Sequence, residues 1–448
     1  MVPLPPPTAH RFAPVSSYQA QMITAALDPE TSAYFDQHKT IRWAFRIGPA
    51  VPARTLRRAF ERLTARHDSL RLKFVERQGR WQAEILPKHA TGLMIEDLAG
   101  MTPDAQEATI LARALAPMNA LSDPLFEMQL LKGCEGGDVV LTRAHHSIID
   151  GYSIAVMIEE LLKIVLNMPL SEAPPSHADF IALRNQRLAE RVEEKEVFWR
   201  ERLLPLPADL MLGRTKQGLG HLTPRTAGKT IRLADILTRT QAAALETRAK
   251  ATGVSAYALL HAAFSETMCL MGGEEQVLIH SVLGRQDTAM SGFVGADMQQ
   301  FMTRYVSDPT DIDGRARWVA DQIAEGSAQL PTHAFAPEGL ITQAFAQADM
   351  ALMRFHVHIS YPKGRLANSP FGKLFEKGRE ERLLLGHITL ERVPLPGENE
   401  SEFEIEFLIG PDTNGSNATL IADAAGYATE DMEAIAQAVK DRLGLSVR

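Results

Sequence analysis

Cysteine is nearly absent from this chain: Cys134 and Cys269 are the two in 448 residues, and they stand far apart with no ligand spacing around either. That leaves no disulfide framework and no cysteine-based zinc site. No uninterrupted apolar run reaches the length that spans a bilayer. The N-terminus, Met1 to Pro7, is proline-rich and lacks the basic region and apolar segment of a secretory signal. An excess of positive charge is missing too. The formal net charge is −8, no basic stripe stands out, and an obligate nucleic-acid partner is disfavoured. Short-period repeats and low-complexity segments are also absent. These absences point to a cytoplasmic protein with neither a nucleic-acid nor a membrane partner. Met1 and a helical C-terminus point to a free-standing chain, expected to be a monomer.

What is present is ordinary globular composition, 45% apolar and 23% charged. A chain of 448 residues is too long for one core, so two lobes are expected. The most informative stretch is Ala144-His145-His146-Ser147-Ile148-Ile149-Asp150-Gly151-Tyr152. It sets two imidazoles and a carboxylate on a tight turn between the β-branched run Asp138 to Arg143 and a segment with helical period, Ile154 to Leu166. Ser153 reads as the N-cap of that helix, and Gly151 as the residue that supplies backbone freedom for the reversal. A histidine with a reference pKa near 6.5 at such a place suits proton transfer.

The first lobe reads as mixed α and β. Ile41 to Ile47 is a strand, and Val51-Pro52 opens a helix with Leu56, Phe60 and Leu63 on one face; Leu70 to Val75, Arg80 to Leu86 and Leu125 to Leu131 are extended. The charged stretch Asn185 to Arg202 is expected to be one solvated helix with a buried edge through Leu188, Val192 and Trp199. A Gly- and Thr-rich loop from Gly213 to Lys229 follows. The second lobe then offers a strand at Thr230 to Leu233, a helix from Ala234 to Thr252 ended by Gly253, and a helix from Ala256 to Leu270 capped by Ser255. Later strands are expected at Gln276 to Val282, Met353 to Ser360, Leu383 to Arg392, Glu402 to Ile409 and Ala418 to Ala422, with a closing helix from Glu430 to Leu443. The expected division is 1–175 for an N-terminal lobe, 176–224 for the charged helix and linker, and 225–448 for a C-terminal lobe.

Five segments in order carry a resemblance. Ser17-Tyr18-Gln19-Ala20-Gln21-Met22, Arg66-His67-Asp68-Ser69-Leu70-Arg71-Leu72-Lys73-Phe74, the HHxxxDG run His145 to Gly151, and His177-Ala178-Asp179-Phe180 are the first four. The fifth is Val282-Leu283-Gly284-Arg285 with Phe293-Val294-Gly295 and Phe301-Met302-Thr303-Arg304. Together they resemble the condensation domains of nonribosomal peptide synthesis, within the chloramphenicol-acetyltransferase-like superfamily. The family's Asn-Thr is not reproduced, since Asp297-Met298-Gln299-Gln300 stands there, its late motifs are unrecognisable after Ala334, and the DFGWG motif of plant-type relatives is absent.

The resemblance implies two chloramphenicol-acetyltransferase-like α/β lobes meeting in a V, with an active-site channel between them. It implies an acyltransferase that forms an amide or ester from a phosphopantetheine thioester on an acyl or peptidyl carrier protein, with a small-molecule amine or alcohol as acceptor, in natural-product biosynthesis. Acyl-CoA as donor and a non-catalytic recruitment module are the alternatives. His146 is then the base or acceptor-positioning group and His145 is structural. Asp150 is expected to pair with an arginine and fix the turn, with Arg285, Arg66 and Arg71 as candidates. The mechanism that the resemblance implies calls for no bound cofactor; adjacent histidines plus a carboxylate can ligate zinc, but neighbouring strand histidines point to opposite faces, so no metal is expected. Other readings stay open: a satisfied histidine pair in a turn, and His356 with His358 sharing a strand face without a third ligand. Met290, Met298, Met302, Met350 and Met353 fit either an acyl tunnel or core filling. The run Arg184 to Arg202 could dock an acidic carrier, although a solvated face needs no partner.

Overall fold

The computed structural model describes residues 11–29, 39–49, 51–204, 230–273, 275–283, 290, 292–297, 299–329, 357–360, 382–385, 388–395, 405–412, 415–424 and 426–446. In chain order the first half gives β1 (Arg11–Pro14), α1 (Ser17–Leu27), β2 (Thr40–Gly48), α2 (Ala53–Arg66), β3 (Leu72–Arg77), β4 (Arg80–Ile85), β5 (Met94–Asp97) and α3 (Pro103–Ala114). Then come β6 (Phe126–Lys132), β7 (Asp138–His145), α4 (Gly151–Val165), α5 (His177–Ala189) and α6 (Val192–Leu203). Next are β8 (Thr230–Leu233), α7 (Arg239–Thr252), α8 (Ala256–Gly272), β9 (Gln276–Leu283), β10 (Gln299–Val306) and α9 (Ile312–Ala328). The last are β11 (Val357–Ser360), β12 (Arg382–Leu385), β13 (Ile388–Val393), β14 (Ile405–Asp412), β15 (Gly415–Asp423) and α10 (Thr429–Arg442).

The chain folds into two compact units. One comprises Met1–Gln186, Arg285–Asp297 and Gly364–Glu398; the other comprises Arg187–Gly284, Met298–Lys363 and Asn399–Arg448. The expected contiguous lobe over 225–448 differs from this. Within the stretch Leu383 to Arg392 lie parts of two strands, β12 and β13, that pair antiparallel, and β13 pairs antiparallel with β2 of the first unit, Leu390 opposite Ile47. A strand's partner is set by tertiary register, which one segment's alternation does not contain.

In the first unit the six-stranded sheet has the order β12-β13-β2-β7-β6-β5, which places β7 in its interior. An interior strand buries most of its residues, and Val139, Val140, Leu141 and Ala144 are all buried, as are the polar Thr142 and Arg143. Gly133 starts the reversal from β6 to β7 with φ 68°, and a Cβ there would lie 2.6 Å from that of Ala99, so both conformation and space demand glycine. Helix α2 packs on α4. Between them Glu160 accepts from Arg66 Nε at 3.0 Å and meets His67 Nε2 at 2.8 Å. Burial pushes the Glu160 carboxyl up, but His67 and Arg66 together outweigh it and hold it below its usual range.

The second unit has the sheet order β10-β9-β11-β14-β15-β8. Its core joins α7, α8, α9 and α10 to one sheet face through Phe264, Val277, Ile279, Ile359, Phe407 and Leu420. Among the described residues no single helix is long and apolar enough to cross a membrane. The apolar length of α8 is accounted for by burial, and its buried Glu266 accepts from Tyr305 Oη at 3.0 Å and from the Asp308 N–H at 2.9 Å. Helix α7 starts at Arg239, later than expected. The residues before it are tied to β15 instead: Ile236 N–H donates to the Ala418 carbonyl, and Asn417 exchanges bonds with Leu237. Gly253 ends α7 with φ 73°. The stretch Asn185 to Arg202 is not one helix, because Arg191 adopts φ 53° between α5 and α6. The buried residues of α6 are Lys195, Trp199 and Leu203, while Val192 is exposed.

Candidate active site

Strand β7 delivers the two histidines, and both its neighbours and the loops beside it hold its end. The His145 N–H donates to the Leu125 carbonyl at 2.9 Å, and the His146 N–H to that of Lys39 at 2.7 Å. His145 is 2% exposed. Its Nδ1 accepts the Ser147 N–H at 3.2 Å and lies 2.7 Å from Ser147 Oγ, so the ring carries its proton on Nε2. Burial, with lesser contributions from His146 and Lys39, lowers its pKa to about 3. His145 is therefore a neutral, enclosed ring. Gln19 of α1 donates to the Ser147 carbonyl at 3.1 Å and fastens the same turn.

His146 differs in each respect. It is half-exposed, whereas His145 and residues 147–150 are all buried. Its Nδ1 lies 2.8 Å from the Ile149 carbonyl. A carbonyl oxygen can only accept, so Nδ1 carries the hydrogen and Nε2 carries the lone pair. Tyr18 stands edge-on to the ring with centroids 6.1 Å apart. A ring oriented by one nitrogen with the other left basic is suited to take a proton.

Asp150 follows. It is the N-cap of α4, accepting the Ser153 N–H at 2.7 Å, and Ser153 is the third helical residue of a capping box. The expectation of Ser153 as N-cap is thus displaced by one helical turn, and the D-x-x-S spacing was the signal for it. Ser153 Oγ–H donates to Asp150 Oδ1 at 2.6 Å, and Ser153 Oγ accepts the Gly295 N–H at 3.0 Å. Asp150 Oδ2 accepts the Asp297 N–H at 3.2 Å. Gly295 and Asp297 were not singled out for the site from the sequence. Of the candidate arginines, Arg66 is engaged with Glu160 and Arg71 with Asp68, while Arg285 lies outside the described residues. Gly151 has no positive φ; it is the first residue of α4, exposed, and a Cβ there would meet nothing within 4 Å. The freedom expected of it is not what this turn uses.

Among the described residues no group of three or more His, Cys, Asp or Glu is placed to hold a metal ion. His356 lies outside them, and His358 sits with its Nδ1 2.8 Å from that of His280 on the neighbouring strand. Cys134 and Cys269 are both buried, and no disulfide joins them. Met290 and Met302 are buried; Met298, Met350 and Met353 lie outside the described side chains.

Residues 9–300 match the sequence model of the condensation domain. The chain belongs to the condensation-domain family. It is 25% identical over 444 residues to one of the linear gramicidin synthase polypeptides of Brevibacillus parabrevis, covering 93% of this chain and 5% of that one. It is 28% identical over 282 residues to chondramide synthase of Chondromyces crocatus, covering 59% and 7%. The chain therefore spans a small part of the length of these curated relatives. Among solved structures, the X-domain in its complex with OxyB from teicoplanin biosynthesis superposes with a TM-score of 0.74 at 18% identity, covering 99% of this chain and 94% of that one. The starter condensation domain of a rhizomide synthetase gives 0.70 at 16%, covering 97% and 96%. These likenesses show the condensation-domain fold. The general role of the family is amide or ester bond formation in nonribosomal peptide and polyketide assembly.

Proposed function

We propose that this chain is an acyltransferase that moves an acyl group from a phosphopantetheine thioester on a carrier protein to an amine or hydroxyl acceptor, with His146 as general base. The observation that carries the reading is the state of His146: Nδ1–H committed to the Ile149 carbonyl, Nε2 basic, and the ring half-exposed in an otherwise buried turn. The acceptor N–H or O–H passes its proton to His146 Nε2 as its heteroatom attacks the thioester carbonyl. The tetrahedral intermediate collapses with loss of the thiolate, which takes the proton back and leaves as free thiol. The product is an amide or ester. Base catalysis of this kind is worth about 10²–10⁴-fold. His145, neutral and enclosed, keeps the turn's shape, and Asp150 caps α4 behind it.

A second reading has one observation in its favour, the likeness to an X-domain solved in complex with OxyB. On that reading the chain recruits a partner without turnover. Free-thiol release from matched acyl-carrier and acyl-CoA donors, with pooled amines and alcohols and with His146→Ala in parallel, separates the two. Acceptor-dependent release that the folded variant loses supports the transferase and identifies its donor. Equal release by the variant would sink the base assignment, and no release by the wild type from either donor would favour recruitment.

A further inference from the structure

Asp297 stands where the family's Asn-Thr pattern is not reproduced, yet the position is not slack. Its carboxylate lies 2.6 Å from Arg184 Nη2, with the two side chains 5% and 11% exposed. Arg184 projects from α5, the helix opened by His177-Ala178-Asp179-Phe180. One turn earlier on α5, Phe180 stacks on Phe293 with ring centroids 4.7 Å apart. Phe180, Ile181, Met290 and Phe293 form one buried cluster. Residues 292–297 are thus pinned to α5 by the apolar contact of Phe293 and the ion pair of Asp297.

The same segment bears on the histidine turn from its other side. Gly295 donates to Ser153 Oγ, and Asp297 donates to Asp150 Oδ2. There is no room for play at Gly295, where a Cβ would lie 2.3 Å from the Phe293 ring. Asp150 directly follows Ile149, whose carbonyl orients His146. A short mechanical path therefore runs from Arg184 through Asp297 to Asp150, and from there to the Ile149 carbonyl and His146 Nδ1.

We infer that Arg184 and Asp297 are a positioning pair for His146, seating the 295–297 backbone so that the Asp150 cap and the Ile149 carbonyl hold the ring with Nε2 as the base. The inference rests on the proposed transferase reading for its kinetic consequence, though not for its structural one. A buried carboxylate deprived of its cation draws its backbone toward other partners, so the ion pair acts on the turn through the position of the Asp297 N–H.

The test is built around Arg184→Met with Asp297→Asn, which removes both charges of the pair together and so costs less stability than Arg184→Met alone. With thermal melting near the wild type, kcat for thiol release is expected to fall about ten- to a hundredfold with KM little changed, the signature of a displaced base. Arg184→Lys recovers most of the loss. Independently of turnover, the carbethoxylation of His146 by diethyl pyrocarbonate, followed on its own peptide, is expected to slow, because a ring released from Ile149 is a weaker nucleophile at Nε2. Unchanged His146 modification and unchanged kcat in a folded double variant would overturn the inference. A wild type without thiol release would overturn the transferase reading instead, and the modification rates of double variant and Arg184→Lys would still decide the positioning. Should the double variant not fold, an Arg184→Lys protein with melting and His146 reactivity both at wild-type level supports the charge pair, and one that melts normally but has lost His146 reactivity counts against it.

Discussion

Replacing Asp150 by alanine tests how the histidine turn is held. The carboxylate is 5% exposed and its contacts among the described residues include Ser153 N–H, Ser153 Oγ–H and Asp297 N–H, all donating to it. Loss of an N-cap costs about 1 kcal/mol. An orphaned buried N–H at Asp297 adds about 1–3 kcal/mol. The Ser153 hydroxyl can turn to the Gly295 carbonyl, 3.0 Å away, and is not counted. The sum is about 2–4 kcal/mol, to be set against a whole-domain stability of about 5–15 kcal/mol. At about 2–4 °C per kcal/mol for units of this size, the melting temperature should fall by roughly 4–16 °C. Hydrogen exchange should accelerate most at the first turn of α4, where the Ser153 amide loses its acceptor. Ser153→Ala shares the same contacts, so the double substitution should cost less than the two single ones added. An Asp150→Ala protein that melts with the wild type and shows unaltered exchange over residues 151–157 would refute the capping argument.

His177 is 1% exposed, neither ring nitrogen has a hydrogen-bond partner among the described residues, and burial lowers its pKa to about 4 from 6.5. The unfolded chain takes up a proton below pH 6.5 that the folded chain refuses, so this group removes stability as pH falls from 6.5 to about 4. The loss reaches roughly 3 kcal/mol at the lower end. His177→Leu should leave stability at pH 7 unchanged or raised and flatten the acid limb of a denaturation series; an equally steep limb would count against it. Gly151→Ala should fold as well as the wild type or better, by about 0.5–1 kcal/mol, because a Cβ meets nothing there and the position is helical. A clear drop in melting temperature would show that α4 needs glycine at its start after all.

Periodicity made much of the fold readable. The 3.6-residue pattern located α2 and α8, and the glycine at 253 marked the end of α7, because these signals are local to the residues that carry them. The histidine turn was legible for the same reason: HHxxxDG is a contiguous run whose shape follows from a strand end and a helix cap. Failures came where a distant segment decides the outcome. Ala234 to Leu237 carries helix-compatible residues, yet bonds to Ala418 and Asn417 hold it as a non-helical lead-in. Alternation put His356 and His358 on one face, but it could not say that His280 of β9 would be the neighbour, since that depends on which strand lies beside β11.

The same limit bears on how a departure from a family pattern should be read. In the sequence, Asp297 in place of Asn-Thr counts as a loss, and Arg184 counts as the first charge of a solvated run. In the structure each explains the other: a buried carboxylate at one position is tolerable because a guanidinium arrives from α5 at 2.6 Å. Removing either charge alone takes from the other a partner 2.6 Å away in a buried place, so neither substitution is expected to be neutral by itself. The Asp297 backbone hydrogen bonded to Asp150 then makes that unit part of the support for His146. A substitution at position 297 should therefore be judged together with position 184, by the orientation of His146, before it is taken as a sign of altered substrate.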